Sequence, residues 1–137
     1  EKVNNTGTDK NVRFTFSKEE RLKSKKLIDE LFSDKTFVQN SILRIYYKKI
    51  QLNCACQAQF AFAAPKKIFP HAVDRNRLKR LLRESVRLQK PTFTQELLDK
   101  NIQIVLLLSY HAKKIHDYKD VDETVTKLLK KLVNELG

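Results

Sequence analysis

Apolar residues recur along this chain with two periods, and the switches between them mark its elements. Leu27, Ile28, Leu31 and Phe32 return at helical spacing. Ahead of them Ser17-Lys18-Glu19-Glu20 has the Ser-x-x-Glu form of a capping box, so a helix is predicted from there through about Ser33. Residues 41–50 alternate: Leu43, Ile45 and Tyr47 face one way, Ile42, Arg44, Tyr46 and Lys48 the other, which is the two-residue period of a strand. After a polar loop around Asn53, residues 57–64 form a second strand region with Phe60 and Phe62 on one face. Pro65-Lys66-Lys67-Ile68-Phe69-Pro70 is extended or turning, because each proline disfavours helix in the residue before it. Helical spacing returns from about Asp74, a plausible N-cap, to Gln89, and Pro91 closes it. A short helical piece is indicated at 95–100, followed by a strand at 102–109. Val121, Val125, Leu128, Leu129, Leu132 and Leu136 lay an amphipathic stripe along a last helix, 120–136. The order is helix, two or three strands, helix, strand, helix. Without repeats or low-complexity linkers this is one domain, 13–137, preceded by a flexible leader at 1–12; the lack of any Met suggests that the native start is missing or replaced.

Composition changes the picture most through charge. The 137 residues suit a single core, and 28 Lys and Arg against 16 Asp and Glu leave a formal charge of +12. At 41% hydrophobic the chain folds and is not a disordered basic tail. No apolar run is long enough to cross a bilayer and no signal-peptide segment is seen, so cytoplasmic residence is the default expectation.

Much of the charge concentrates on the 74–89 helix. Arg75, Arg77, Lys79, Arg80, Arg83 and Arg87 stand there against only Asp74 and Glu84. Leu78, Leu81, Leu82, Ser85 and Leu88 cluster on one side; Lys79, Arg80, Arg83 and Arg87 fan across the other with Asn76 among them. A solvated surface helix mixes acids with its bases through i,i+4 pairs. This one instead repels itself until an anion neutralises it, and arginine forks suit phosphate.

Protein-borne catalysis finds no support. The two glycines, Gly7 and Gly137, exclude a Gly-rich phosphate loop, and His71, His111 and His116 share no metal-binding spacing. Asp117, Asp120, Asp122 and Glu123 sit where a helix N-terminus favours acids, so capping explains them better than chemistry. Cys54 and Cys56, at i,i+2, have poor geometry for a mutual disulfide and cannot close a zinc site alone. No catalytic residue and no protein-bound metal is expected.

Ala72-Val73-Asp74-Arg75-Asn76-Arg77-Leu78-Lys79-Arg80-Leu81-Leu82-Arg83-Glu84 resembles, at every fixed position, the Ala-Val-x-Arg-Asn-Arg-x-Lys-Arg-x-x-Arg-Glu hallmark of the bacterial ribonuclease P protein subunit. Lys66-Lys67 occupy the place of the family's upstream Lys-Lys pair, Arg21-Leu22-Lys23 fits its early basic segment, and Ile102-Gln103-Ile104-Val105 fits its late strand. The resemblance spans about 17–133. It implies an α+β two-layer sandwich in the order αβββαβα, with a mixed sheet and a left-handed βαβ crossover that contains the arginine-rich helix. It also implies a partner, the large catalytic RNA that with its Mg²⁺ ions removes the 5′ leader of precursor tRNA; no organic cofactor, membrane or obligate protein partner is implied. Carried over by position, Arg75, Asn76, Arg77, Lys79, Arg80 and Arg83, with Lys66 and Lys67, bind RNA. Ile28, Phe32 and Tyr46 line a cleft for the leader. From the residues themselves, Tyr46 between Arg44 and Lys48 is an aromatic among cations, as a single-strand platform requires, whereas periodicity alone places Ile28 and Phe32 in the core. Two departures stand out: Ile28 replaces a usual aromatic, and Phe69-Pro70 replaces a glycine after the Lys-Lys pair.

Three rival readings remain at this stage. A ribosomal-type RNA-binding protein would also be small, basic and α/β. A DNA-recognition helix needs a preceding helix, which the Pro65–Pro70 segment opposes. An amphipathic helix on anionic lipid would need the leucines that the core requires.

Overall fold

The computed structural model describes residues 20–52 and 56–136. The 1–12 leader, Phe14, Phe16, Ser17 of the capping box and Cys54 lie outside them. The first helix, α1 (Lys25–Asp34), begins later than the Ser17 box predicts: Ser24 is the cap, its Oγ accepting from the Leu27 amide at 3.3 Å. The preceding residues are drawn into the sheet instead. Arg21 bridges Phe60 in parallel, and the Leu22 amide donates to the Phe60 carbonyl at 2.8 Å. Helix through this stretch would pull the buried Leu22 side chain out of its core.

Four strands follow the expected pattern with one addition. A three-residue strand, β1 (Phe37–Gln39), pairs antiparallel with β2 (Leu43–Lys49). Asn40 makes the turn between them, its Oδ1 accepting from the Ile42 and Leu43 amides at 2.9 and 3.0 Å. Next come β3 (Ala58–Ala63), α2 (Ala72–Asp99), β4 (Ile104–Tyr110) and α3 (Tyr118–Leu136). The sheet order is β1-β2-β4-β3, with β2 antiparallel and β3 parallel to β4. The αβββαβα order and mixed sheet are as expected, and α2 is the crossover between the parallel neighbours β3 and β4.

β4 explains the architecture. Ile104, Leu106 and Leu108 join the main core under α2 and α3, while Val105 and Leu107 join a second core under α1. A strand buried on both faces must be apolar throughout, which is why this one reads so clearly in the sequence. Asp117 caps α3, its Oδ1 accepting from the Asp120 amide at 3.0 Å, so an acid does serve there as a cap.

α2 departs most from expectation. It starts at Ala72 with His71 in the N-cap position, leaving Asp74 in the first turn, where a negative charge still favours the helix dipole. It also runs through Pro91 to Asp99, absorbing the separate 95–100 piece. Proline removes one backbone donor and crowds the preceding turn, but stopping there would expose Phe93 and Leu97, both buried in the main core. Phe93 packs on Phe60 with ring centroids 6.2 Å apart. The helix ends instead at Asn101, in the left-handed region, with the Ile102 amide donating to Leu97 O and the Asn101 amide to Leu98 O. Extending the helix shifts its buried arc to Leu78, Leu82, Ser85, Val86, Phe93 and Leu97. Leu81 is half-buried and Leu88, expected in the core, is exposed. Cys56 is disulfide-bonded, against the expectation that the cysteines stay unlinked.

Candidate nucleic-acid interface

The cations of α2 are placed by helical spacing. Asn76, Arg80, Arg83 and Arg87 stand at i, i+4, i+7 and i+11 and form one stripe along the helix, with Arg77 beside it. Arg77, Lys79, Arg80 and Arg83 form no ion pair with an acid among the described residues. Asn76, Arg77, Arg80 and Arg83 are exposed and Lys79 half-buried. Two neighbours are committed elsewhere. Arg87 pairs with Glu84, whose carboxyl the Arg87 hydrogen bond holds below the usual carboxylate range. Arg75 Nη1 donates to the Phe69 and Pro70 carbonyls, both at 2.8 Å, so this arginine fastens the loop before α2.

That loop has a defined course. Ile68 and Phe69 amides donate to the Pro65 carbonyl, closing a turn that leaves Lys66 and Lys67 exposed. Phe69 turns inward and meets the edge of Tyr110 at 5.7 Å. The glycine replacement is thus an anchored aromatic, and the Lys-Lys pair sits on its outer side.

Between α2, β3 and the residues ahead of α1 lies an open cleft of about 710 Å³. It is lined by the cations Arg21, Lys23, Arg83 and Arg87 and by apolar side chains that include Ile28, Ala61 and Phe62. Arg83 lies over the Phe62 ring, 5.5 Å from the centroid, which holds its guanidinium at the cleft. Ile28 is half-buried, packing against the α1 core and lining this cleft.

One helical turn along α1, Phe32 is 43% exposed and meets the edge of Tyr46 at 4.9 Å. Phe37, paired with Tyr46 across β1 and β2, also meets it edge-on, with ring centroids 5.5 Å apart. Arg44 lies over Phe37 at 4.3 Å. Its Nη1 donates to the Tyr46 hydroxyl at 3.1 Å, and Nε and Nη2 donate to Gln39 Oε1 at 3.0 and 2.8 Å. The result is an aromatic cluster with a pre-oriented guanidinium. Lys48 stands apart from it: its Nζ lies 3.3 Å from Asp34 and 3.4 Å from Glu30. Its hydrogen bonds to Asp34 and then to Glu30 raise its pKa, so its charge is already matched within the protein.

Sequence reasoning missed Phe37 and Gln39, since a three-residue strand is too short to show a period. Among the described residues there is no group of three or more His, Cys, Asp or Glu that could hold a metal ion. No helix among the described residues is long and apolar enough to cross a membrane.

The sequence matches the family described as Ribonuclease P over residues 16–133. Curated relatives include the ribonuclease P protein component of Porphyromonas gingivalis, 32% identical over 117 residues and covering 85% of each chain. That of Chlorobium phaeobacteroides is 31% identical over 122 residues, covering 82% of this chain and 84% of the relative. Among solved structures, the RNase P protein of Staphylococcus aureus superposes with a TM-score of 0.66 at 18% identity, covering 84% of this chain and 96% of that one. The RNase P protein from Thermotoga maritima gives 0.64 at 22%, covering 82% and 96%. At these identities the two structures show the shared fold.

Proposed function

We propose, from the premise that this chain belongs to the ribonuclease P protein family, that α2 and the cleft beside it bind two different stretches of RNA. A member of this family is the protein component of a ribonucleoprotein endonuclease that matures the 5′ end of tRNA, and it associates with the ribonuclease P RNA. The observation that supports a division of labour is the row of unpaired cations on α2, which leads directly into a cleft partly lined by apolar side chains. Arg77, Lys79, Arg80 and Arg83, with Asn76, Lys66 and Lys67, take phosphates of the folded RNA. Arg75 contributes by holding the Lys66-Lys67 turn in place. The cleft and the Phe32–Phe37–Tyr46 cluster take the single-stranded leader of precursor tRNA, bases on rings and phosphates on Arg21, Lys23 and Arg44. Chemistry falls to the RNA and magnesium ions held by it, and the protein's contribution is to bind and orient.

Reconstitution tests this directly. Mixed with a bacterial ribonuclease P RNA, the chain should allow leader removal at a magnesium concentration where the RNA alone is inactive. No lowering of the magnesium requirement would overturn the reading and favour a general RNA-binding protein. A finer test separates the leader site. Tyr46→Ala should weaken precursor tRNA binding by about 1–3 kcal/mol, the range for one stacked base, and leave mature tRNA binding unchanged. Equal losses on both substrates, measured by titration of the assembled complex, would remove Tyr46 from the leader site.

A further inference from the structure

We infer that the ion pair between Glu20 and Lys90 is a latch that sets the position of the cleft's Arg21–Lys23 wall. Lys90 Nζ lies 2.8 Å from Glu20 Oε1, with the side chains only 3% and 13% exposed. It is the one pair among those described with both partners so enclosed. Enclosed pairs add little to stability, because desolvating two charges offsets their attraction. Their better-attested use is to fix one arrangement among several of similar energy.

Here the arrangement to be fixed is plain. Glu20 immediately precedes Arg21, Leu22 and Lys23, which line the cleft. Lys90 lies seven residues beyond Arg83 on the same side of α2. Arg21 and Lys23 line the same cleft as Arg83 and Arg87 of α2, and these like charges push the segment away from the helix. The Glu20–Lys90 pair counters that push and holds Leu22 on β3, where its amide donates to Phe60. Glu20 and Lys90 are therefore positioning residues: the cleft's width depends on them although the leader is bound by others.

The inference rests on the leader reading above, so its test has two arms. In the full-length protein, Glu20→Gln should speed hydrogen exchange of the Leu22 amide by about tenfold or more while exchange at Leu78 and Leu82 stays native, since only local opening changes. In the complex reconstituted with ribonuclease P RNA, the same variant should lose about tenfold of the preference for precursor over mature tRNA, one stacked base's worth, with affinity for the RNA subunit unchanged. The charge-swapped Glu20→Lys/Lys90→Glu protein should recover both. If Glu20→Gln does not fold, Glu20→Gln/Lys90→Met removes both charges of the pair and carries the same expectations. Native Leu22 protection together with native preference in the variant overturns the latch, as does a folded charge-swapped protein that recovers neither. Absence of any precursor preference in the native complex would instead strike the leader reading, and the exchange arm would still decide the latch.

Discussion

Raising salt from about 50 to about 200 mM should weaken this protein's binding to ribonuclease P RNA by roughly 10³, the loss expected when about six phosphates are neutralised. The cations available are Arg77, Lys79, Arg80 and Arg83 on α2 and Lys66 and Lys67 on the adjoining turn, all without acidic partners among the described residues. Because each contact releases condensed counterions, Arg80→Ala should reduce the slope of log affinity against log salt by about one, with a similar loss for any RNA sequence. Arg87→Ala should change the slope less, because Glu84 already offsets that charge. Filter binding or fluorescence titration across four salt concentrations measures all three proteins. A flat response in the native chain would mean that the α2 stripe does not meet phosphate.

The second large effect comes from the opposite face of the same helix. Leu82 is fully buried beneath the sheet, so Leu82→Ala should destabilise the fold by about 2–5 kcal/mol through lost transfer energy and the cavity left behind. For a domain of this size that corresponds to a fall in Tm on the order of 10 °C. Below the transition, the salt slope of RNA binding should match the native protein. Calorimetry and the same titration separate the two faces. A change in Tm with Arg80→Ala as large as with Leu82→Ala would mean that the two faces of α2 are not divided between core and solvent.

That division was legible in the chain because it depends only on local spacing. Leu78 and Leu82 on one arc, Arg80 and Arg83 on another, follow from 3.6 residues per turn. The same holds for β4, whose unbroken apolar run reflects burial on both faces, and for the alternation of Leu43 and Ile45 with Arg44 and Tyr46. Pattern reasoning failed where distant contacts outweighed local preference. Pro91 breaks a helix in isolation, but Phe93 and Leu97 have core places only if α2 continues. Ser17 begins a capping box, but Leu22 is worth more on β3, so Ser24 caps the helix. Leu88 matched the apolar stripe of a short helix and fell outside the buried arc of a long one.

The site divides the same way. Arg77, Arg80 and Arg83 stood out in the sequence as cations on one helix face, and among the described residues the structure gives them no acidic partner. Lys48 shared their type and a plausible strand face, yet Glu30 and Asp34 arrive beside it from α1, a pairing that no local pattern encodes. Arg75 stands within the basic run, yet its guanidinium secures the carbonyls of Phe69 and Pro70. Phe37 and Gln39 became visible only when β1 paired with β2 and brought them to Tyr46 and Arg44.

What the sequence determined by itself was therefore the periodic part: the order of the main helices and strands, the apolar face of each, and the run of cations along one face of α2. Only the tertiary structure decided which cations remain unmatched, where the cleft opens, and that Glu20 reaches Lys90. The physical reason is range. Periodicity and capping act within a few residues of chain, whereas charge neutralisation and cleft shape depend on groups that only folding brings together, such as Glu30 with Lys48 and Glu20 with Lys90.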